Sequence, residues 1–382
     1  MLLSIIIVSY NTKNLLEQCL ESIVKSLTNS NSETNRHPDE NQDHPNGSKT
    51  ILNQVQNDDS GKSVKNKASN ISYEIIVVDN NSTDGTREYL EKLLALRVKQ
   101  IKEKRNVVAK GARNISANAN ETNKLKINFS EANFSPALAG RVSQFPNIKV
   151  ILNNNNLGFA KAVNQGIRES KGKYILLLNS DIKVLPEAIK KLINFARKRE
   201  DAGIVVPKLL SKDGKTSQAS CYKLPTVRGA LNEYWFGKKG SYEKYLPRGG
   251  NPVKVEAAVG AAMLIPKAVI DVVGLLDEKY FMYFEDLDYC HRVSQNGLAV
   301  YYLPQAKMIH HHGQSGKKTP IKVSNYLTES SKKFNGFLKY NLISMIIKLS
   351  RLRKISFLFL TVLTALITAI CLLLWLLFLR RN

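Results

Sequence analysis

The sequence predicts an α/β fold: a mostly parallel central sheet flanked by helices, followed by a C-terminal transmembrane helix. Three observations carry this expectation. Four apolar runs, Leu3–Ser9, Tyr73–Asp79, Ile148–Leu152 and Tyr174–Leu178, alternate with helical patterns, as strands of a sheet covered on both faces do. A hydrophobic content of 43% across 382 residues supports a packed core and excludes a disordered chain. The stretch Phe357–Leu379 is 23 residues long without a charge, enough to cross a hydrocarbon core of ~30 Å.

Taken in order, Met1-Leu2-Leu3 runs directly into Ser4–Val8 with no basic leader, so the start reads as a buried strand rather than a signal peptide. Leu15, Leu16, Cys19, Leu20 and Ile23 then recur at helical spacing. Asn29–Asn70 is rich in Asn, Ser, Asp and Lys and poor in apolar residues. It reads as an insertion before the second strand. Asp84–Leu96 is the next helix, and the basic, Asn/Ala/Ser-rich stretch Val98–Gln144 a second insertion. Phe159–Glu169 is the helix after the third strand. The fourth strand ends in Asn179-Ser180-Asp181, and a helix follows from near Pro186, where Pro suits a first turn, to about Arg199. Beyond it the pattern predicts a strand over Gly203–Pro207, a polar loop to about Lys254 and a strand-like Val255–Ile265. An aromatic run, Phe281–Phe284, opens a helix reaching about Asn296, and strands over Ala299–Leu303 and Lys307–His310 close the body.

The charge excludes some classes and favours others. Of the net +24, a share of +11 lies after residue 316, where 12 Lys/Arg face one acid, Glu329. A basic excess beside an apolar span meets anionic lipid, and no nucleic-acid-binding motif accompanies it. Four scattered cysteines (Cys19, Cys221, Cys290, Cys371) show no paired spacing and argue against a disulfide framework or zinc site.

Ligands of α/β sheets bind beyond the carboxyl ends of the strands. Three polar clusters stand at such ends: Ser9-Tyr10-Asn11, Asp79-Asn80-Asn81 and Asn179-Ser180-Asp181. Each alone could be a cap or a turn; their joint appearance points to a site. A carboxylate such as Asp181 can hold Mg²⁺ or Mn²⁺ that shares its other positions with diphosphate oxygens and water. A histidine of His310-His311-His312 could supply a second ligand, although the triplet could equally be a solvated loop. Glu285, Asp286 and Asp288 follow the aromatic run. They suit a helix N-terminus electrostatically, and they are also candidates for a general base.

The segments Ser4–Asn11 (SIIIVSYN), Tyr73–Thr86 (YEIIVVDNNSTDGT), Asn156–Gly166 (NLGFAKAVNQG), Tyr174–Asp181 (YILLLNSD), Gly260–Ile265 (GAAMLI), Gly274–Glu278 (GLLDE) and Phe281–Arg292 (FMYFEDLDYCHR) resemble, in order, family-2 inverting glycosyltransferases, nearest their rhamnosyltransferase-like branch. The resemblance implies a GT-A-type nucleotide-diphospho-sugar transferase fold and an enzyme that moves a sugar, best guess L-rhamnose from dTDP-rhamnose, to an acceptor hydroxyl. It implies Asp286 as catalytic base with Glu285 beside it, and Asp181 with His310 (His312 the alternative) as ligands of Mn²⁺ or Mg²⁺. It further implies Ser9, Tyr10, Asp79, Asn156, Lys161 and Asn179 as nucleotide-sugar-binding residues. Asn179 stands where the family carries the first acid of its Asp-x-Asp motif.

The expected organisation is a transferase domain over 1–316 carrying the insertions 29–70 and 98–144, a basic amphipathic membrane-proximal segment over 317–355, a transmembrane helix over 356–379 and a short basic tail, 380–382. Expected partners are the nucleotide-sugar donor, a saccharide or lipid-linked acceptor and the membrane, without nucleic acid. The expected location is the inner membrane, single-pass, with the catalytic body cytoplasmic. A non-catalytic sugar-nucleotide-binding scaffold on the same fold is the alternative.

Overall fold

The computed structural model describes residues 1–28, 71–96, 147–311 and 320–381. Both predicted insertions, and His312, fall outside the described residues.

Strand β1 (Leu3–Ser9) is central. It pairs in parallel with β2 (Tyr73–Asp79) on one side and β4 (Tyr174–Asn179) on the other, and β2 pairs in parallel with β3 (Ile148–Leu152). Helices α1 (Lys13–Thr28), α2 (86–96) and α3 (Phe159–Arg168) make the connections and cover the two faces. Leu16, Leu20, Ile23 and Leu90 bury one face with Ile5 and Ile7, while Ala160, Val163 and Ile167 bury the other with Ile6 and Ile76. Alternate residues of one strand therefore serve two cores, which is why its run is apolar without a break. Gly166 is where α3 crosses β1: a Cβ there would fall 2.4 Å from a methyl carbon of Ile6.

The parallel pattern holds for this half only. Past β4 the sheet is mixed and continues, in spatial order, through β10 (Ala262–Pro266), β6 (Ala202–Leu210), β11 (Ala299–His310) and β5 (Ile182–Val184). Strand β5 (Ile182–Val184) directly follows Asp181, and α4 (Ala188–Arg197) leads to β6 (Ala202–Leu210). The region read as a polar loop holds β7 (Cys221–Tyr222) and α5 (Val227–Tyr234), the latter capped by Thr226 Oγ1 accepting from the Gly229 amide at 2.9 Å. The single strand expected over Val255–Ile265 is three: β8 (Val253–Val255), β9 (Ala257–Ala258) and β10 (Ala262–Pro266). They pair with three different partners, β11, β7 and β4, and a turn at Gly260-Ala261 separates the last two. Helix α6 (Lys267–Val273) follows, then α7 (Glu285–Gln295). The two closing strands are one, β11 (Ala299–His310), whose register against β6 shifts between Leu303 and Lys307, around Pro304.

Helix α8 (Pro320–Arg381) is broken at Gly336, whose φ of 72° and ψ of 169° are not helical. Its first part docks on the body through Ser330 Oγ, which donates to the Met282 carbonyl at 2.8 Å, and through Phe334 against Phe284. Its second part packs Ile343 and Ile346 on α5, and Trp235 Nε1 donates to the Ile346 carbonyl at 3.1 Å. Ser330, Phe334, Ile343 and Ile346, within the segment expected only as membrane-proximal, thus also contribute to the folded body. The expected transmembrane helix is not supported: among the described residues no helix is long and apolar enough to cross a membrane. Backbone 356–379 continues α8, and most of its side chains lie outside the described residues.

Candidate active site

The site is built by turns at strand ends. Asn11 and Asn81 both adopt left-handed φ (54° and 67°), a conformation Asn tolerates better than most residues. The turns clasp each other: Asn11 Oδ1 accepts from the Thr83 amide at 2.7 Å, and Ser82 Oγ accepts from the Asn11 amide at 2.9 Å. Beside them a buried hydroxyl chain runs from Ser9 Oγ to Thr12 Oγ1 (3.0 Å) and on to Ser180 Oγ (2.7 Å). Ser9 therefore holds the Asn179-Ser180-Asp181 turn from behind and does not line the cleft.

Asp181 sits between β4 and β5, and His310 ends β11. The antiparallel β5–β11 ladder pairs Ile182 with His310, which brings His310 Nε2 to 3.4 Å from Asp181 Oδ1. Gln218 grips the imidazole: its Nε2 donates to the His310 carbonyl at 2.8 Å and its Oε1 stands 3.2 Å from Nδ1. When Nδ1–H donates to Gln218, Nε2 presents a lone pair to the carboxylate. A cation or a proton reconciles two such acceptors, so this donor pair fits a divalent metal with diphosphate oxygens and water completing its shell. Among the described residues no cluster of three or more His, Cys, Asp or Glu could hold a metal without such outside ligands.

A cleft of about 1080 Å³ opens over these turns. Tyr10, Asn156, Asn179, Asp181, Glu285, Asp286 and His310 all line it. Asn80, which the sequence reading left unassigned, lines it too. Its Nδ2 donates to Asn156 Oδ1 (2.8 Å) and the Gly158 carbonyl (3.1 Å), while its Oδ1 accepts from the Leu157 amide (3.0 Å). Asp79 lies fully buried at the end of β2, with Oδ2 accepting from the Ser82 amide at 3.1 Å and Oδ1 without a partner among the described residues. Lys161 is exposed on α3, near Glu278, and does not line the cleft.

The opposite wall is the start of α7. Tyr283 and Phe284 both hold left-handed φ (69° and 67°), an uncommon state for aromatic residues. The double turn swings Glu285 and Asp286 to the cleft. Asp286 Oδ2 accepts from the Gly260 amide and Oδ1 from the Leu287 amide, each at 2.9 Å. Burial raises the Asp286 pKa, against the pull of these N–H groups and of Lys244. Glu285 is buried with Oε2 unpartnered among the described residues; burial first, then the neighbouring Asp286 charge, lift its pKa well above the carboxylate range. Asp288 faces away: it pairs with Arg292 Nε at 2.8 Å, and Arg292 also donates to the Val273 and Leu275 carbonyls at 3.0 Å. That pair is structural.

The two walls meet at Gly158. The Phe159 amide donates to the Phe281 carbonyl at 2.7 Å, and a Cβ on Gly158 would lie 2.5 Å from that same oxygen. The segments Asn156–Gly166 and Gly274–Glu278 serve a related end. Asn164 exchanges hydrogen bonds with Leu276, and Arg168 pairs with Glu278 at 3.0 Å, which fastens α3 to the loop ahead of α7.

A nucleotide-sized cleft at the carboxyl edge of an α/β sheet, with a metal-fitting pair on one wall and two carboxylates on the other, defines the class of nucleotide-sugar transferase folds. The chain belongs to Glycosyl transferase family 2, whose description matches residues 59–120 and 129–258. It is similar to the dTDP-rhamnosyl transferase RfbF of Shigella flexneri (27% identity over 185 residues, 47% of this chain and 58% of the relative). It is also similar to the N-acetylglucosaminyl-diphospho-decaprenol L-rhamnosyltransferase of Mycobacterium tuberculosis (26% over 197 residues, 47% and 64%). The chain thus spans less than two thirds of the length of these curated relatives. Among solved structures, GalNAc-T7 with UDP, GalNAc and Mn²⁺ aligns at a TM-score of 0.49 and 13% identity, covering 86% of this chain and 46% of that one.

Proposed function

We propose that the protein is an inverting glycosyltransferase that moves a sugar, L-rhamnose from dTDP-rhamnose being the leading candidate, onto an acceptor hydroxyl in the synthesis of a cell-surface polysaccharide or glycolipid. The observation that carries the proposal is the pairing of Asp181–His310 and Glu285–Asp286 across one cleft. The names of the two relatives support rhamnose and a lipid-diphosphate acceptor.

In this reading Tyr10, Asn80, Asn156 and Asn179 hold the nucleotide-sugar, and the unpartnered Asp79 oxygen beneath them accepts from the base edge or from a water against it. Asp286 takes the proton of the acceptor hydroxyl as that oxygen bonds to the anomeric carbon. The bond to the diphosphate oxygen breaks on the opposite face, which inverts the anomeric configuration. One carboxylate on the acceptor side is enough for this. Its two backbone N–H bonds fix the direction of its free lone pairs, and burial keeps it basic enough to accept a proton. Burial and the Asp286 charge raise the Glu285 pKa, which disfavours a second negative charge beside the base. A divalent metal held by Asp181 and His310 would supply charge stabilisation to the departing diphosphate.

Contact with a membrane surface is part of the proposal. Leu338, Leu342, Met345, Leu349 and Leu352 recur at three- and four-residue spacing along one outward face of α8, each exposed, with Lys348 and Arg353 at its margins. The catalytic body would then lie on the cytoplasmic side of the inner membrane. The test is a donor screen on the purified full-length protein with Mn²⁺ or Mg²⁺, reading released nucleoside diphosphate and the anomeric configuration of the product by NMR. A product with retained configuration, or no release from any donor, would overturn the reading.

A further inference from the structure

Lys244 is the only lysine or arginine among the described residues lining the cleft, where Asp181, Glu243, Glu285 and Asp286 supply four carboxylates. No described residue gives it a hydrogen bond or an ion pair within 4 Å. Its ammonium stands 5.7 Å from the centre of the Tyr222 ring and feels the charge of Asp286 at longer range. Lys244 is exposed as a residue, while its charged end is crowded enough for desolvation to lower its pKa.

The backbone that carries it is fixed on both sides. The Glu233 carboxylate accepts from the Ser241 and Tyr242 amides at 2.7 and 3.1 Å. Tyr245 and Cys221 exchange backbone hydrogen bonds at 2.8 and 3.1 Å. A partly desolvated ammonium that feels a carboxylate it does not bind is an incomplete interaction. An anion brought by a ligand completes it. The same cleft has an apolar side, lined by Val323, Leu327 and Ile347 of α8, with Tyr326 stacked on Phe281 at 4.5 Å.

We propose that Lys244 and this face of α8 form an acceptor subsite for a phosphate ester of an apolar chain, the phosphate on Lys244 and the chain along Val323, Leu327 and Ile347. That the ligand is the acceptor rests on the transferase reading: the subsite adjoins Asp286, the proposed base, so the hydroxyl to be glycosylated and the phosphate belong to one molecule. The donor diphosphate belongs instead at the Asp181–His310 pair.

The test is calorimetric titration of the full-length protein with octyl phosphate, octyl glucoside and inorganic phosphate, each below any micelle concentration. Octyl phosphate should bind at least about ten times more tightly than either other probe. Lys244→Gln should weaken octyl phosphate about ten- to a hundred-fold, the size of one charge-assisted hydrogen bond, without moving octyl glucoside, and Lys244→Arg should restore most of the loss. Unchanged octyl phosphate affinity in Lys244→Gln overturns the subsite, and equal affinity for inorganic phosphate overturns its apolar half. Displacement of octyl phosphate by thymidine diphosphate would assign Lys244 to the donor and overturn it too. Lys244-dependent binding in a wild-type protein that releases no nucleoside diphosphate from any donor would leave the subsite standing and sink the transferase reading alone.

Discussion

Gly158→Ala tests whether the two walls of the cleft act as one unit. Gly158 has φ 84° and ψ 171°, a region that residues with a Cβ reach only with strain, about 1–3 kcal/mol. The added Cβ would sit 2.5 Å from the Phe281 carbonyl oxygen, 2.9 Å from a ring carbon and 3.0 Å from Phe281 Cα. Ordinary contact needs roughly another ångström, so the Phe281–Phe284 loop must retreat. That retreat breaks the Phe159 N–H bond to the same oxygen, a further loss of about 1 kcal/mol. The expected destabilisation is about 2–4 kcal/mol. The functional loss is separate: a loop displaced by about an ångström carries Glu285 and Asp286 with it, and misplacement on that scale costs about a hundred-fold in rate. Chemical denaturation and transfer kinetics read the two effects. A variant with wild-type stability and turnover would refute the claim that this contact sets the catalytic geometry.

Asp181→Asn should bind Mn²⁺ at least roughly tenfold more weakly, read by calorimetry, while its thermal unfolding stays near wild type; unchanged Mn²⁺ affinity removes Asp181 from the metal. Glu285→Gln should raise the melting temperature at pH 8. The buried acid has a folded pKa above its unfolded one, so its favourable contribution is full below the unfolded value and is lost as pH rises through the folded one. The advantage of the amide should vanish by about pH 4, and a gain that grew on acidification would contradict the assignment. Asp288→Asn should lower stability by about 1–3 kcal/mol by breaking the clasp of Arg292 on the Val273–Leu275 carbonyls, with a smaller effect on turnover per folded molecule.

How much of this was legible in the sequence follows from how local each signal is. Strands β1, β2 and β4 announce themselves because they are buried on both faces and read as nearly continuous apolar runs, and the edge strand β3 shows as a shorter run broken by Lys149. The polar clusters at their ends are turns that every parallel strand needs, so their place at the cleft follows from topology. Asp181, Glu285, Asp286 and His310 all line one cleft. Ser9, Asp79 and Lys161 do not line it: Ser9 and Asp79 turn inward at their strand ends and are fully buried, and Lys161, named through the family resemblance, sits on the exposed side of α3. Asn80 was within reach, as the middle residue of Asp79-Asn80-Asn81. The three-residue β5 was not, since so short a strand carries almost no pattern, and the single strand read over Val255–Ile265 hid the division into β8, β9 and β10, which only long-range pairing sets. Lys244 and the inner face of α8 left no local trace: one is a single lysine in a polar segment, the other a run whose basic residues spoke only of membranes.

The central claim, that Asp286 is the base of a sugar transfer between the two walls of this cleft, is tested most directly by single-turnover transfer in Asp286→Asn beside the wild type, with donor affinity measured on both. The substitution keeps size and at least one of the two backbone N–H bonds while removing the proton acceptor. Transfer should fall by about 10²–10⁴-fold with donor affinity nearly unchanged, because the proposed nucleotide and metal residues lie on the opposite wall. Transfer at the wild-type rate in Asp286→Asn, with Glu285→Gln inactive, would contradict the account and move the base by one residue.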